Sequence, residues 1–271
     1  MNANRFAIRS VIAGAICGAV ICCVSTNSYA EDSKPGDKVE KEGNKMKARP
    51  CVVVWSEGTA PMNVYPADIN GAIAEGLTQS LQDWEVVVAN LKDADHGLPD
   101  ALLNRCDVLV WWGHKKHGAV NDELVGRIVK RVREEGMGFI ALHSAHFAKP
   151  NLALMGTACS WREYKSDTKS IHLKVEAPGH PIAKGIKDCD FENGERYEDP
   201  YAMPKPDDVV FSGVFTWKNG QTSSSKQGFT FTVGKGKCFY FQPGHETNPI
   251  YMNETVRRIM ANAVKWVVGT K

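Results

Sequence analysis

Short, almost wholly apolar runs that alternate with helix-patterned stretches constrain this chain more than any other feature. The runs are Cys51-Val-Val-Val-Trp55, Trp84 to Ala89, Asp107 to Trp112 and Phe139-Ile-Ala-Leu142. Apolar runs of this length suit strands buried on both faces, not strands with one wet side. Between them, Ile69, Ala72, Ile73, Leu77 and Leu81 recur at helical spacing, and a short helix is expected near Asp100 to Asn104. A further helix is predicted from Asn121 to Glu135, opened by an Asn cap with acids in its first turn and closed by Gly136-Met-Gly138. Strands that alternate with helices give a parallel sheet covered on both faces. The second half is less regular. Strands are expected at His172–Glu176, Val209–Val214, Phe229–Val233 and Cys238–Phe241, before a terminal helix from Asn253 to Val268. No internal repeat interrupts this pattern, so residues 51–271 read as one α/β domain.

What precedes that domain is of another kind. Arg5 and Arg9 lead into an apolar run of fourteen residues, Val11 to Val24, which ends in Ser25-Thr-Asn-Ser28-Tyr-Ala30. The run is short for a bilayer span, and its flanks have the order of a signal peptide. Residues 1–30 are therefore expected to be a cleaved leader of an exported protein, periplasmic or extracellular, with an uncleaved N-terminal anchor as the alternative. Residues 31–50 carry six basic and five acidic side chains and read as a disordered linker. The net charge of the whole chain is +2, from 33 basic and 31 acidic residues. That surplus resides in Arg5 and Arg9, so the mature chain has no basic field for nucleic acid. Five cysteines remain after the leader, at scattered spacings and without a C-x-x-C pair, which argues against a disulfide framework or a Cys-built zinc site and leaves a single bridge open.

In open α/β sheets, ligands bind beyond the carboxyl ends of the strands. Those positions are unusual here. One strand ends at Trp55-Ser56-Glu57, another at Trp112-Gly113-His114 with His117 beyond, and a third at Leu142-His143-Ser144-Ala145-His146. The run Cys238–Phe241 leads into Gln242-Pro243-Gly244-His245-Glu246. Five of the eight histidines thus follow strand ends, whereas His96, His172 and His180 have no such placement. Neutral imidazoles from separate strands, joined by a carboxylate, suit Zn²⁺ or a similar ion. The same groups without metal suit general acid–base work. Trp111 and Trp112 alternate along a strand, so one is expected in the core and the other as a sugar-stacking platform. The loop Glu195-Arg-Tyr197-Glu-Asp-Pro-Tyr201 offers carboxylates and hydroxyls for polyols, and Cys159-Ser-Trp161-Arg162-Glu163 reads as a salt-bridged turn. No phosphate-binding glycine motif follows the first strand.

These stretches resemble the trehalose-utilisation (ThuA-like) family of the class I glutamine amidotransferase-like superfamily. The resemblance rests on Val54-Trp55-x-Glu57, Asp107-Val-Leu-Val-Trp-Trp-Gly-His114 with His117, and Gly136-Met-Gly-Phe-Ile-Ala-Leu-His-Ser144. It continues through Trp161-Arg-Glu163, Glu195-x-Tyr197 and Phe239-Tyr-Phe-Gln-Pro-Gly-His-Glu-Thr247. It implies a flavodoxin-like, class I glutamine amidotransferase-like three-layer sandwich with a mostly parallel central sheet. It also implies a role in trehalose, disaccharide or keto-sugar utilisation. Amidotransferases of this superfamily carry a nucleophilic Cys on the elbow after the central strand. His143 holds that place here, so thioester chemistry has no nucleophile.

The expected site is a divalent metal ion, Zn²⁺ by preference, on His114, His143, His245 and Glu195. His245, Glu246 and Glu57 are the candidate acid–base or orienting groups. Trp112, His117, His146, Tyr197 and Arg162 are the candidate contacts to a small carbohydrate. The expected activity is that of a metal-assisted hydrolase, lyase or isomerase without amidotransferase activity, and a homo-oligomer is left open. Two alternatives stand beside it: a serine-type hydrolase using Ser144, His245 and Glu246, and a non-catalytic sugar-binding module.

Overall fold

The computed structural model describes residues 49–268. The expected leader lies outside the described residues, as does the expected linker up to residue 48. The first half alternates as its apolar runs predict. Its elements are β1 (Cys51–Ser56), α1 (Asp68–Ser80), β2 (Glu85–Asn90), α2 (Asp100–Arg105), β3 (Val108–Trp112), α3 (Asp122–Glu135) and β4 (Gly138–Leu142). Asn121 caps α3, its side-chain oxygen accepting from the Leu124 N–H, and Gly136 closes that helix in the left-handed conformation. The second half comprises α4 (Lys149–Met155), β5 (Tyr164–Lys165), β6 (Thr168–Val175), β7 (Cys189–Glu192), β8 (Arg196–Tyr197), β9 (Val209–Trp217), β10 (Thr222–Val233), β11 (Gly236–Phe241) and α5 (Glu254–Val267).

Nine strands form one sheet in the order β2-β1-β3-β4-β11-β10-β9-β6-β7. The strands from β2 through β11 are parallel, and those from β11 to β7 pair antiparallel. The switch follows from connection length. The short turns before and after β10 permit only hairpins, whereas β1 to β4 succeed one another through α1, α2 and α3, and β11 pairs parallel with β4 after the long excursion from α4 to β10. Side chains then divide by parity. Val52, Val54, Val108, Val110, Ile140 and Leu142 pack with α1 and α5 on one face. Cys51, Val53, Trp55, Leu109, Trp111 and Phe139 pack with α3 and α4 on the other. The three-layer α/β sandwich expected from the sequence is the fold.

The differences are local and have identifiable causes. The expected strand at Phe229–Val233 begins seven residues earlier, at Thr222. Thr222-Ser-Ser-Ser carries no apolar signal, and pairing with β9 holds it extended. No local pattern predicted α4 or the two-stranded β5–β8 ribbon. All five cysteines among the described residues are free thiols. Among the described residues, no helix is long and apolar enough to cross a membrane.

The β10–β11 hairpin turns on Gly234, whose φ is +62° and whose added Cβ would lie 2.3 Å from the Arg133 carbonyl oxygen. Backbone strain and a clash against main chain combine there. Gly234→Ala is expected to cost about 2 kcal/mol or more of unfolding free energy. Urea denaturation measures this, and a loss below about 0.5 kcal/mol would show that the turn relaxes freely.

Candidate active site

The carboxyl ends of β1, β3, β4 and β11 meet at one edge of the sheet, and each delivers polar residues there. After β4 the chain turns abruptly into a 3₁₀ turn, His143–Phe147, with His143 at a φ of +52°. A non-glycine residue in the left-handed region is strained, and the surrounding contacts show what holds it. The His143 ring lies flat on Trp112, with centroids 5.5 Å apart and planes at 8°. Its Nδ1–H donates to the Gln242 carbonyl at 3.1 Å, and its own carbonyl accepts from the Tyr240 hydroxyl at 2.8 Å.

His114, from the end of β3, and His245, from the loop after β11, complete a cluster with His143. One nitrogen of each ring lies within 4.8 Å of the others. The His114 and His245 rings meet edge to face at 4.8 Å. Glu195 reaches two of the three rings, with Oε2 at 3.1 Å from His143 Nε2 and Oε1 at 3.6 Å from His245 Nε2. The Tyr164 and Tyr197 hydroxyls donate to the same carboxylate. The Gln242 side-chain amide holds the Glu195 backbone carbonyl at 2.8 Å.

The proton inventory of this cluster is informative. A carbonyl only accepts, so the bond to Gln242 places a proton on His143 Nδ1. In a neutral ring Nε2 is then a bare lone pair, yet it faces a carboxylate oxygen at 3.1 Å. Tyr197 has one proton for two acceptors, at 3.1 Å from His143 Nε2 and 3.2 Å from Glu195 Oε2. Two opposed acceptors at that distance require a positive charge, either a proton on Nε2 or a metal ion. The donor set fits a metal, because ligating imidazoles characteristically anchor their other nitrogen on a carbonyl or hydroxyl. His143 does so through Gln242, whereas His245 Nδ1 accepts the Thr247 backbone N–H at 3.2 Å and lies 2.7 Å from Thr247 Oγ1.

Electrostatics point the same way. Burial, reinforced by the charges of His143 and His245, lowers the His114 pKa to about 4. Burial likewise lowers His245, against the raising effect of Glu195. For Glu195, burial works to raise the pKa, but the His143 hydrogen bond and charge, with Tyr164 and His245, outweigh it and hold the carboxyl at about 2. Burial thus favours the neutral form of His114 and His245 beside an ionised Glu195, the protonation states that metal ligation requires.

Beside the cluster lies a second polar group. Glu246 is buried, ion-paired with Lys115, and accepts from Thr59 Oγ1 at 3.1 Å. Glu57, also buried, accepts the Lys115 N–H at 2.8 Å and lies 4.0 Å from His117 Nδ1.

Several expected roles do not survive this geometry. Trp112 is 0% exposed and Trp111 1%. Trp111 stacks on Trp55 at 3.7 Å, while Trp112 backs the His143 ring, so no face of Trp112 is left for a sugar. Both are buried because helices cover both faces of the sheet. His146 is buried too and turns away from the cluster. Its Nδ1 meets the His143 carbonyl and the Tyr240 hydroxyl at 3.0 and 3.1 Å, and burial lowers its pKa to about 3. Arg162 is exposed and spent on Glu198, without a described contact to the histidines. Tyr197 is buried beneath Glu195 and acts on that carboxylate and His143. The triad of Ser144, His245 and Glu246 is not assembled. Ser144 bonds His114 at 2.6 Å, His245 faces Glu195, and Glu246 faces Lys115. Gln242 and Lys115 have positions in the site that no sequence pattern assigned to them, and Ser144, expected as a nucleophile, lies against His114 and the Gly113 carbonyl.

The chain matches the family model described as trehalose utilisation, ThuA, over residues 51–267. Among solved structures it is similar to a putative ThuA-like protein from Parabacteroides merdae ATCC 43184, at 14% identity and a TM-score of 0.60, covering 82% of this chain and 91% of that one. It is also similar to a putative ThuA-like protein from Bacteroides uniformis ATCC 8492, at 14% identity and a TM-score of 0.56, covering 81% and 91%. A cytoplasmic protein from Salmonella typhimurium matches at 13% identity and a TM-score of 0.53, covering 80% and 98%. At these identities the likeness is one of fold. Comparison with curated proteins gives no match.

Proposed function

The chain belongs to the trehalose-utilisation (ThuA) family, and from that premise we propose that it is a carbohydrate-processing enzyme whose site takes a divalent metal ion, Zn²⁺ by preference. One observation carries the reading: His114, His143 and His245 converge with a nitrogen each inside 4.8 Å, and Glu195 contacts two of them. When bound, the ion would act as a Lewis acid toward a sugar carbonyl or lower the pKa of a water. The rest falls to the chain's own side chains. The three imidazoles and Glu195 would hold the ion, and Gln242 and the two tyrosines keep that carboxylate oriented. Glu246, tethered by Lys115, lies next to His245 in sequence and is the candidate proton acceptor. Glu57 fixes the Lys115 backbone and lies 4.0 Å from His117. The proposed substrate is a disaccharide such as trehalose, or its keto form; the family description, trehalose utilisation, supports the first.

Metal analysis of the purified full chain at neutral pH is the direct test. About one Zn²⁺ per chain is expected, lost together with turnover on EDTA treatment and restored on readdition. Negligible metal with turnover unaffected by EDTA would overturn the metal and leave acid–base chemistry by His245 and Glu246. Sugar binding without turnover, unchanged in His245→Ala, would leave a binding module.

A further inference from the structure

We infer that Ser144 is a positioning residue, whose hydroxyl takes the Nδ1 proton of His114 and leaves Nε2 as that ring's lone-pair nitrogen. The argument is a count of protons. Ser144 is 5% exposed, and its Oγ lies 2.6 Å from His114 Nδ1 and 3.1 Å from the Gly113 carbonyl oxygen. A serine hydroxyl has a single proton. The Gly113 carbonyl is buried, cannot donate, and costs free energy if left unmet. Giving the serine proton to that carbonyl and the His114 Nδ1 proton to Ser144 satisfies all three groups. The opposite assignment strands the carbonyl. Ser144 is thereby an acceptor toward His114, the reverse of a serine activated by a histidine base, which must donate to it.

The elbow explains why a serine stands there. The left-handed His143 turns the chain so that consecutive residues serve two different rings: His143 enters the cluster itself, and Ser144 orients His114. A backbone carbonyl does for His143 what this hydroxyl does for His114.

The inference deepens the metal reading, but its first readout does not depend on it. Histidine-selective ¹⁵N NMR of the metal-free full chain should show His114 as the Nδ1–H tautomer. Ser144→Ala should lose that preference, and Ser144→Thr, which keeps the hydroxyl, should retain it. In the second readout, chelator competition, Ser144→Ala should bind Zn²⁺ about 10–100-fold more weakly than wild type, with Ser144→Thr close to wild type. Should the alanine variant fail to fold, Ser144→Cys, with its poorer acceptor, is expected to weaken the tautomer preference in its place. An Nε2–H tautomer in the wild type, or an unchanged tautomer in Ser144→Ala, would overturn the inference. So would covalent labelling of Ser144 by a fluorophosphonate. If the wild type binds no Zn²⁺ while Ser144→Ala still shifts the tautomer, the metal reading fails and the positioning role stands.

Discussion

His143→Asn is expected to reduce turnover by about 10³-fold or more and to weaken Zn²⁺ binding by more than about 100-fold, with the fold intact. Asparagine is the informative replacement because the backbone at this position is left-handed, with φ at +52°, and Asn accepts that conformation better than most residues. The substitution therefore separates chemistry from strain. It withdraws the ring that bonds Gln242, faces Glu195 and stacks on Trp112. The lost stacking should cost stability as well, on the order of 1–3 kcal/mol, so denaturation curves accompany the kinetic measurement. Turnover and metal affinity both within about threefold of wild type would mean that the chemistry lies elsewhere.

Acid should destabilise the domain well before its carboxylates protonate. Burial lowers His146 from 6.5 to about 3 and His114 from 6.5 to about 4. Both are bases with depressed values, so the unfolded chain takes up protons below pH 6.5 that the native state refuses. Their stabilising contribution is complete above pH 6.5 and declines as pH falls, to about 4 for His114 and about 3 for His146. Within that window each proton contributes a slope of up to about 1.4 kcal/mol per pH unit, less for the partly open His114. Glu195, held at about 2 from an ordinary 4.5, adds a loss of the same sign from pH 4.5 downward. Urea midpoints in metal-free protein at pH 7, 6, 5 and 4 should fall accordingly. His146→Gln, which can retain a donor to the His143 carbonyl, should flatten the curve. An unchanged slope in that variant would show that His146 is not the group being titrated.

The two-layer helical cover and the central strands were legible because burial on both faces writes itself as unbroken apolar runs. The same logic should have corrected the reading of the tryptophans. Alternation along a strand implies an exposed partner only where one face of the sheet is wet, and at Trp111 and Trp112 neither is. The histidines at strand ends were legible as a group, since a parallel sheet brings those ends to one edge. What they bond was not. Lys115 meets Glu246 across 131 residues and Ser144 meets His114 across 30, and no local spacing encodes such pairs. His143 and His146 show the limit sharply: identical side chains three residues apart on one turn, one facing the cluster and the other packed against Tyr240.

The seam between β4 and β11 also bears on when the site can exist. His143 follows one of these strands and His245 the other, and the hydrogen bond that joins them beside the site spans 97 residues of sequence. Contacts that distant form late in folding, because the intervening chain must be ordered before they can be made. A growing polypeptide that has produced His114 and His143 has no cluster. It acquires one only when β11 and the loop after it have been synthesised and docked. The cluster thus arrives with the completed domain, and any truncation before His245 leaves this edge without its third imidazole.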